Sequence, residues 1–268
     1  MTHPGAREGD NQDVVGWDED HQLWFVADGM GGYSRGQEAS RLVKETLLAQ
    51  IGSLGLPAAV LKAHEVVREA AQQGEGDHRM GSTVVCAQIS SHDCHIVWVG
   101  DSRAYLWRLG ELERLTRDHS FVEALRETEP LTETQMRSHP NASVVLQTLG
   151  MGTPVPSERT QKLRRGDWIV LCSDGVPVEL RDGEIAHILQ ASANPQQAAQ
   201  QLVDGALKKG GRDNTSAVVV QHEGPPSTGL LASLSRIDTA VIGWIAALAG
   251  VVLAAAVVIV AWRLHGGR

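Results

Sequence analysis

Leu23 to Gly32 reads LWFVADGMGG, an apolar run that ends in an acid and then in a glycine-rich turn. A buried strand of this kind sets its terminal carboxylate at a sheet edge, and glycines beside it let backbone come close to a ligand. The pattern returns twice. Trp168 to Ser173 runs into Asp174 and Gly175, and Gly210, Gly211, Arg212, Asp213 and Asn214 lead into the strand SAVVV. Taken singly, each reads as a turn or an Asx cap. With Asn11, Gln12 and Asp13 ahead of the first strand, they place Asp13, Asp28, Asp174 and Asp213 at strand boundaries of one domain.

Around these acids, short apolar runs bounded by turn residues predict strands at Val14 to Trp17, Leu23 to Ala27, Thr83 to Ile89, His95 to Val99, Ala104 to Leu109, Trp168 to Cys172 and Ser216 to Val220. Connections as short as Asp18 to Asp20 favour hairpins, because parallel crossovers need a dozen residues or more. Helices are expected at Gln37 to Ile51, Pro57 to Gln73, Asp182 to Gln190 and Pro195 to Lys209. In the second, Val60, Ala63, Val67, Ala70 and Ala71 form one apolar stripe behind a proline start. Runs of strands and runs of helices, rather than strict alternation, point to an α+β fold of antiparallel sheets covered by helices. Glu127 to Pro156 is long for a connection and reads as a functional flap.

The last fifth of the 268 residues is different. Residues 240–262, AVIGWIAALAGVVLAAAVVIVAW, carry no charge and would make a helix long enough for a hydrocarbon core of roughly 30 Å. The expected organisation is a domain over residues 1–222, a linker over 223–239, a transmembrane helix over 240–262 and a short tail over 263–268. One span cannot enclose a pore, so a multi-pass transporter is excluded. The first residues, MTHPGAREGD, hold no apolar signal segment, so the domain is expected in the cytoplasm, anchored to the cytoplasmic membrane by its C-terminal helix. The charges flanking the span, Arg236 before and Arg263 and Arg268 after, point the other way when taken alone. A net charge of -8 without a basic cluster argues against DNA or RNA as a partner. Cys86, Cys94 and Cys172 sit in apolar runs with no CxxC spacing and read as core thiols.

Clustered carboxylates without competing His or Cys ligands suit hard cations such as Mg²⁺ or Mn²⁺. Two such ions bridged by an acid and a water would supply hydroxide at neutral pH and clamp a phosphoryl group for in-line displacement.

At these residues the chain resembles the metal-dependent protein phosphatase family, the 2C-type serine/threonine phosphatases, in its bacterial form. The matching pieces, in family order, are NQD at Asn11 to Asp13, VADGMGG at Val26 to Gly32, GxxAS at Gly36 to Ser40, GST at Gly81 to Thr83, VGDSRAYLWR at Val99 to Arg108, LTRDHS at Leu115 to Ser120, CSDG at Cys172 to Gly175 and GGRDNTSAVVV at Gly210 to Val220. The resemblance implies a four-layer α-β-β-α sandwich of two antiparallel sheets flanked by helices. It implies that Asp28 bridges two metals, that the Gly29 carbonyl binds one, that Asp174 and Asp213 bind the other, and that Asp13 supports the cluster. Asn214 would orient Asp213. The implied activity is hydrolysis of phosphoserine and phosphothreonine in proteins, with a membrane Ser/Thr kinase or its targets as partners. A catalytically inactive binding module at the membrane is the alternative.

The chain departs from the family pattern at four places. Arg7, the candidate for binding phosphate, lies six residues before Asp13 rather than five. Gln12 stands where many members have a metal-binding glutamate. Met30 stands where eukaryotic members have a histidine, and a thioether cannot act as a general acid. Val178 replaces the acid that would share a third metal with Asp101, so that third site is expected to be weak. His119 and Arg103 read as structural, and Trp17, Trp24, Trp98, Trp107 and Trp168 as packing residues.

Overall fold

Side chains along a strand alternate between its two faces, and here both faces are apolar in the central strands. Leu23, Phe25 and Ala27 enter one buried cluster while Val26, between them, enters another. Such strands are stable only when covered on both sides, which dictates the layering.

The computed structural model describes residues 1–6, 10–31, 35–73 and 80–224, within a compact unit running from Met1 to Pro225. In chain order the elements are β1 (Thr2–His3), β2 (Asp13–Asp18), β3 (Leu23–Gly31), α1 (Arg35–Leu54), α2 (Leu56–Gln73), β4 (Met80–Ser82), β5 (Val84–Ser90), β6 (Asp93–Val99), β7 (Arg103–Arg108), β8 (Glu111–Arg114), α3 (Phe121–Leu125), α4 (Glu133–Ser138), β9 (Ser157–Lys162), β10 (Trp168–Cys172), α5 (Gly175–Glu179), α6 (Asp182–Ala191), α7 (Pro195–Lys208) and β11 (Thr215–Gln221). One sheet has the order β1-β11-β10-β7-β8; the other has β2-β3-β5-β6-β9 with β4 added to β3. Each strand pairing is antiparallel.

Three cores separate four layers. Val43, Leu47, Val60 and Val67 of α1 and α2 pack on Leu23, Phe25, Val84, Cys86 and Val97. Between the sheets lie Val26, Val85, Ile96, Leu106, Ile169 and Leu171. Tyr105, Val170 and Cys172 meet Ile185, Leu189, Leu202 and Val203 of α6 and α7. This is the α-β-β-α sandwich expected from the sequence. The three cysteines are free and buried, as expected of core thiols. Trp17 departs from the packing expectation: near the end of an edge strand, it is 57% exposed.

The expected transmembrane helix, its linker from Pro225 onward and the tail lie outside the described residues, as does Arg7. Among the described residues no helix is long and apolar enough to cross a membrane.

Candidate metal centre and active-site cleft

Antiparallel pairing of β2 with β3 sets Asp13 directly opposite Asp28. Two carboxylates facing one another across a ladder repel, and the pairing is held by contacts on every side. Thr83 donates its backbone N–H to the Asp28 carbonyl (2.8 Å), while the Asp28 N–H donates to Thr83 Oγ1 (3.3 Å). Ser173 Oγ donates to Asp13 Oδ2 (2.7 Å) and accepts from the Ser216 N–H (3.0 Å), tying β2 to the ends of β10 and β11. Gly29 donates to the Gln12 carbonyl at 3.1 Å, and a Cβ on Gly29 would meet the Gly36 carbonyl oxygen at 1.9 Å. A side chain on Gly29 would drive into the α1 backbone, and one on Gly36 would meet Gln12 Oε1 at 2.1 Å and the Gly29 carbonyl oxygen at 2.8 Å, so this close approach requires glycine at both positions.

Asp174 lies just past β10 and Asp213 just before β11, two neighbouring antiparallel strands, so the turns carrying both acids meet at one end of the sheet. Gly175 permits this contact: a Cβ there would stand 2.0 Å from the Asn214 carbonyl oxygen. Asn214 works differently from the sequence expectation. Its Oδ1 accepts from the Gln12 N–H (2.7 Å) and its Nδ2 donates to the Pro4 carbonyl (2.9 Å), so the side chain ties down the N-terminal segment. Asp213 Oδ1 instead accepts from the Asn214 backbone N–H (2.8 Å).

The electrostatics are those of an acidic cluster whose carboxylates repel one another, relieved in part by Arg103 at Asp101 and Asp174. Burial, opposed mainly by the hydrogen bond from Ser173, pushes the Asp13 carboxyl up to about 6, with Asp213 adding repulsion. Asp28 is held well above the usual carboxylate range by burial and then by Asp13, Asp174, Asp101 and Asp213. Asp174 is raised by burial, Asp101, Asp213 and Asp13. Asp101 is pushed up to about 6 by burial and by Asp118. Carboxyl groups raised by one another's charge mark a shared site.

Asp13 Oδ1 and Asp174 Oδ1 are buried with no hydrogen-bond partner. Unmet oxygens of this kind, with no thiolate or imidazole in the cluster among the described residues, fit hard divalent cations such as Mg²⁺ or Mn²⁺. Among the described residues, no three acid, histidine or cysteine side chains already close around a single point.

A cavity of about 540 Å³ opens from this cluster between α4 and α5. Asp101, Asp174, Asp118 and Val178 all line it, so the residue replacing the expected third-metal acid faces the same space as Asp101. The segment Glu127 to Pro156, read as a flap, supplies Met136, Arg137 and His139 to the opposite wall. Arg137 donates to the carbonyls of Val178 and Leu180, both at 3.3 Å, which fixes α4 beside α5.

His119 and Arg103 are structural, as expected. His119 stacks on Trp98, accepts from the Gly100 N–H at 3.2 Å and meets Ser157 Oγ at 2.9 Å. Arg103 binds Asp118 through Nε and Nη2, and Arg114 binds the same carboxylate. Sequence reasoning passed over Ser173 and Asp118. Ser173 sits inside CSDG and Asp118 inside LTRDHS, so both were visible as motif members, but their roles depend on partners over 150 residues away or on a second arginine.

The family model of protein phosphatase 2C matches residues 6–209. The serine/threonine protein phosphatase PstP of Mycobacterium tuberculosis is 32% identical over 209 residues, which is 74% of this chain but 40% of PstP. The chain therefore spans well under half the length of that relative. The crystal structure of the M. tuberculosis phosphatase PstP/Ppp superposes with a TM-score of 0.74 at 32% identity, covering 83% of this chain and 97% of that one. A crystal structure of the PstP catalytic domain in complex with 2 manganese ions superposes with a TM-score of 0.75 at 29% identity, covering 82% of this chain and 95% of that one. With the acid-bearing strand ends in place and the family model matching most of its length, this chain belongs to the protein phosphatase 2C family of metal-dependent serine/threonine phosphatases.

Proposed function

We propose that this chain is a membrane-tethered protein phosphatase that hydrolyses phosphoserine and phosphothreonine with two Mn²⁺ or Mg²⁺ ions per domain. The observation that carries the reading is the facing pair Asp13 and Asp28, with Asp174 and Asp213 brought to the same end of the sheets. Asp28, the Gly29 carbonyl, Asp174 and Asp213 would hold the ions, with Asp13 beside them. When bound, two divalent ions lower the pKa of water and neutralise the phosphoryl oxygens.

The chain's own groups do the rest. Burial of Asp13 and the bond from Ser173 fix one carboxylate oxygen and leave the other, Oδ1, buried without a hydrogen-bond partner. Arg7 is the candidate to hold phosphate through a bidentate guanidinium. Met30 offers no proton to the leaving alkoxide. His119 is engaged through both ring nitrogens, so it is no substitute general acid.

The membrane part of the proposal rests on the uncharged run 240–262, with the phosphatase domain on the cytoplasmic side and a membrane Ser/Thr kinase or its targets as substrates. The test is hydrolysis of p-nitrophenyl phosphate and of a phosphothreonine peptide by the full chain. Turnover with added Mn²⁺ that stops with a chelator supports the reading. Chelator-insensitive turnover, or none with Mn²⁺ or Mg²⁺, overturns it, the latter in favour of an inactive binding module.

A further inference from the structure

Helix α6 opens on Arg181, a poor residue for that place. A side chain at a helix start stabilises it by accepting from first-turn N–H groups, and a guanidinium has no acceptor to offer. Arg181 makes no such bond; its own N–H donates to Glu184 Oε2 at 3.0 Å instead. A long cation here therefore calls for a reason outside the helix. Arg181 lines the cavity that opens from the metal centre, and a second arginine stands beside it. Arg137 reaches from α4 to the carbonyls of Val178 and Leu180, both at 3.3 Å, and Leu180 immediately precedes Arg181.

The acids of the cavity are already engaged. Asp101 and Asp174 belong to the metal centre, Asp118 is clamped by Arg103 and Arg114, Glu179 is bound by Arg212 at 2.9 Å, and Glu184 is bound by Lys209. Glu184 is held below its usual range first by the Arg181 N–H, then by Lys209, with the charge of Arg181 last. Outside the lining, Asp182 accepts from the buried Tyr105 hydroxyl at 3.4 Å, and exposed Glu133 lies one turn back on α4. Among the described residues, Arg137 and Arg181 thus keep guanidinium groups that form no ion pair. In a chain of net charge -8 the overall field repels acidic peptides, so an attraction at this wall has to be local.

We propose that Arg137 and Arg181 form a subsite for an acidic side chain of the phosphorylated substrate, selecting sequences with Asp or Glu near the phosphoresidue. The inference rests on the phosphatase reading above. Helix α5 separates Arg181 from Asp174: its five residues rise about 8 Å, and the extended Leu180 adds about 3 Å. A peptide bound in extended form covers roughly 11 Å in about three residues, which sets the acidic side chain two to four residues from the phosphothreonine. Guanidinium groups bind carboxylates through paired N–H donors. Both arginines are exposed, so the gain is modest and salt weakens it.

The full chain with Mn²⁺ is assayed on three phosphothreonine peptides that differ only in their flanks. One carries glutamates two to four residues before the phosphothreonine, one carries them two to four residues after it, and one carries glutamines in both places. At least one acidic peptide should exceed the glutamine peptide about fivefold in kcat/KM, through KM, and the ratio should shrink as salt is added. The ratio is read within each protein, so a loss common to all peptides cancels. Arg181→Ser, which gives α6 a capping hydroxyl, and Arg181→Gln, which keeps length without charge, should both lower the ratio. The double variant R137Q/R181S should bring it to about one. Equal kcat/KM for the three peptides in the parent, or an acidic preference kept in folded Arg181→Ser or Arg181→Gln, overturns the subsite and leaves the phosphatase reading standing. Hydrolysis of none of the peptides overturns that reading itself.

Discussion

Two groups of buried acids lie at the same end of the sandwich and are treated in opposite ways. Asp118, with an 8% exposed side chain, is clamped by Arg103 at 2.8 Å and by Arg114. Asp13 and Asp28 face each other without an arginine or lysine clamp among the described residues, and each is raised by burial and by other carboxylates. The fold supplies its own cations where an acid is structural. Where it withholds them, the charge is left for an ion that the protein does not encode. The difference separates ligands from scaffold more sharply than proximity does, since Asp101, Asp118 and Asp174 line one cavity.

The largest effect expected from this contrast is on turnover. Asp174→Asn should lose about 3 kcal/mol of transition-state stabilisation, roughly a hundredfold or more in kcat, while circular dichroism and melting stay near those of the parent. Near-parental turnover in the folded variant would remove Asp174 from the working cluster.

Asp118→Ala should do the reverse. Removing the partner of two partly buried arginines costs stability, on the order of 2 kcal/mol, read as a shift in the denaturant midpoint. Cation binding at the facing pair should persist in the variant. If stability is unchanged, the clamp is not what holds the β7 and β8 ends.

A third expectation follows from pH in chelator. A carboxyl raised in the folded state binds protons that the unfolded chain has already released, so stability falls as pH rises. For Asp13, the window runs from its ordinary value of 3.8 to about 6, and the effect is on the order of 3 kcal/mol. Melting of metal-free protein should therefore drop between pH 4 and about 6, with Mn²⁺ restoring stability at neutral pH. A flat profile in chelator would mean that the cluster is neutralised by some group within the protein.

The smallest effect concerns the third site. Val178, 43% exposed on the cavity wall with Asp101, brings no oxygen. Val178→Asp should tighten a weak additional Mn²⁺ by several-fold, because hard ions gain from each added anionic oxygen. An unchanged titration would show that Val178 and Asp101 do not share an ion.

Much of this arrangement was legible in the sequence because burial on both faces leaves a near-continuous apolar run, as in Trp168–Cys172, which was read with its observed limits. The strands that escaped notice have no such signature. β9, SERTQK, alternates between partly and fully exposed residues, and β8, ELER, is an edge. Both are defined by pairing with β6 and β7 rather than by composition. Helix α5 was hidden for another reason: its five residues, GVPVE, contain a proline and follow the acid turn. At the site, the acids showed themselves by position at strand ends. The pairing of Asp13 with Asp28 required the register, and the contrast with Asp118 required knowing where Arg103 and Arg114 point.

The central claim is that the unclamped acids hold two cations together. Isothermal titration of the chelated full chain with Mn²⁺, compared with Asp28→Asn, tests it without reference to turnover. The account predicts two tight ions in the parent and loss of both tight sites in a folded Asp28→Asn variant, because Asp28 is proposed to bridge them. Two tight ions remaining in that variant would contradict it.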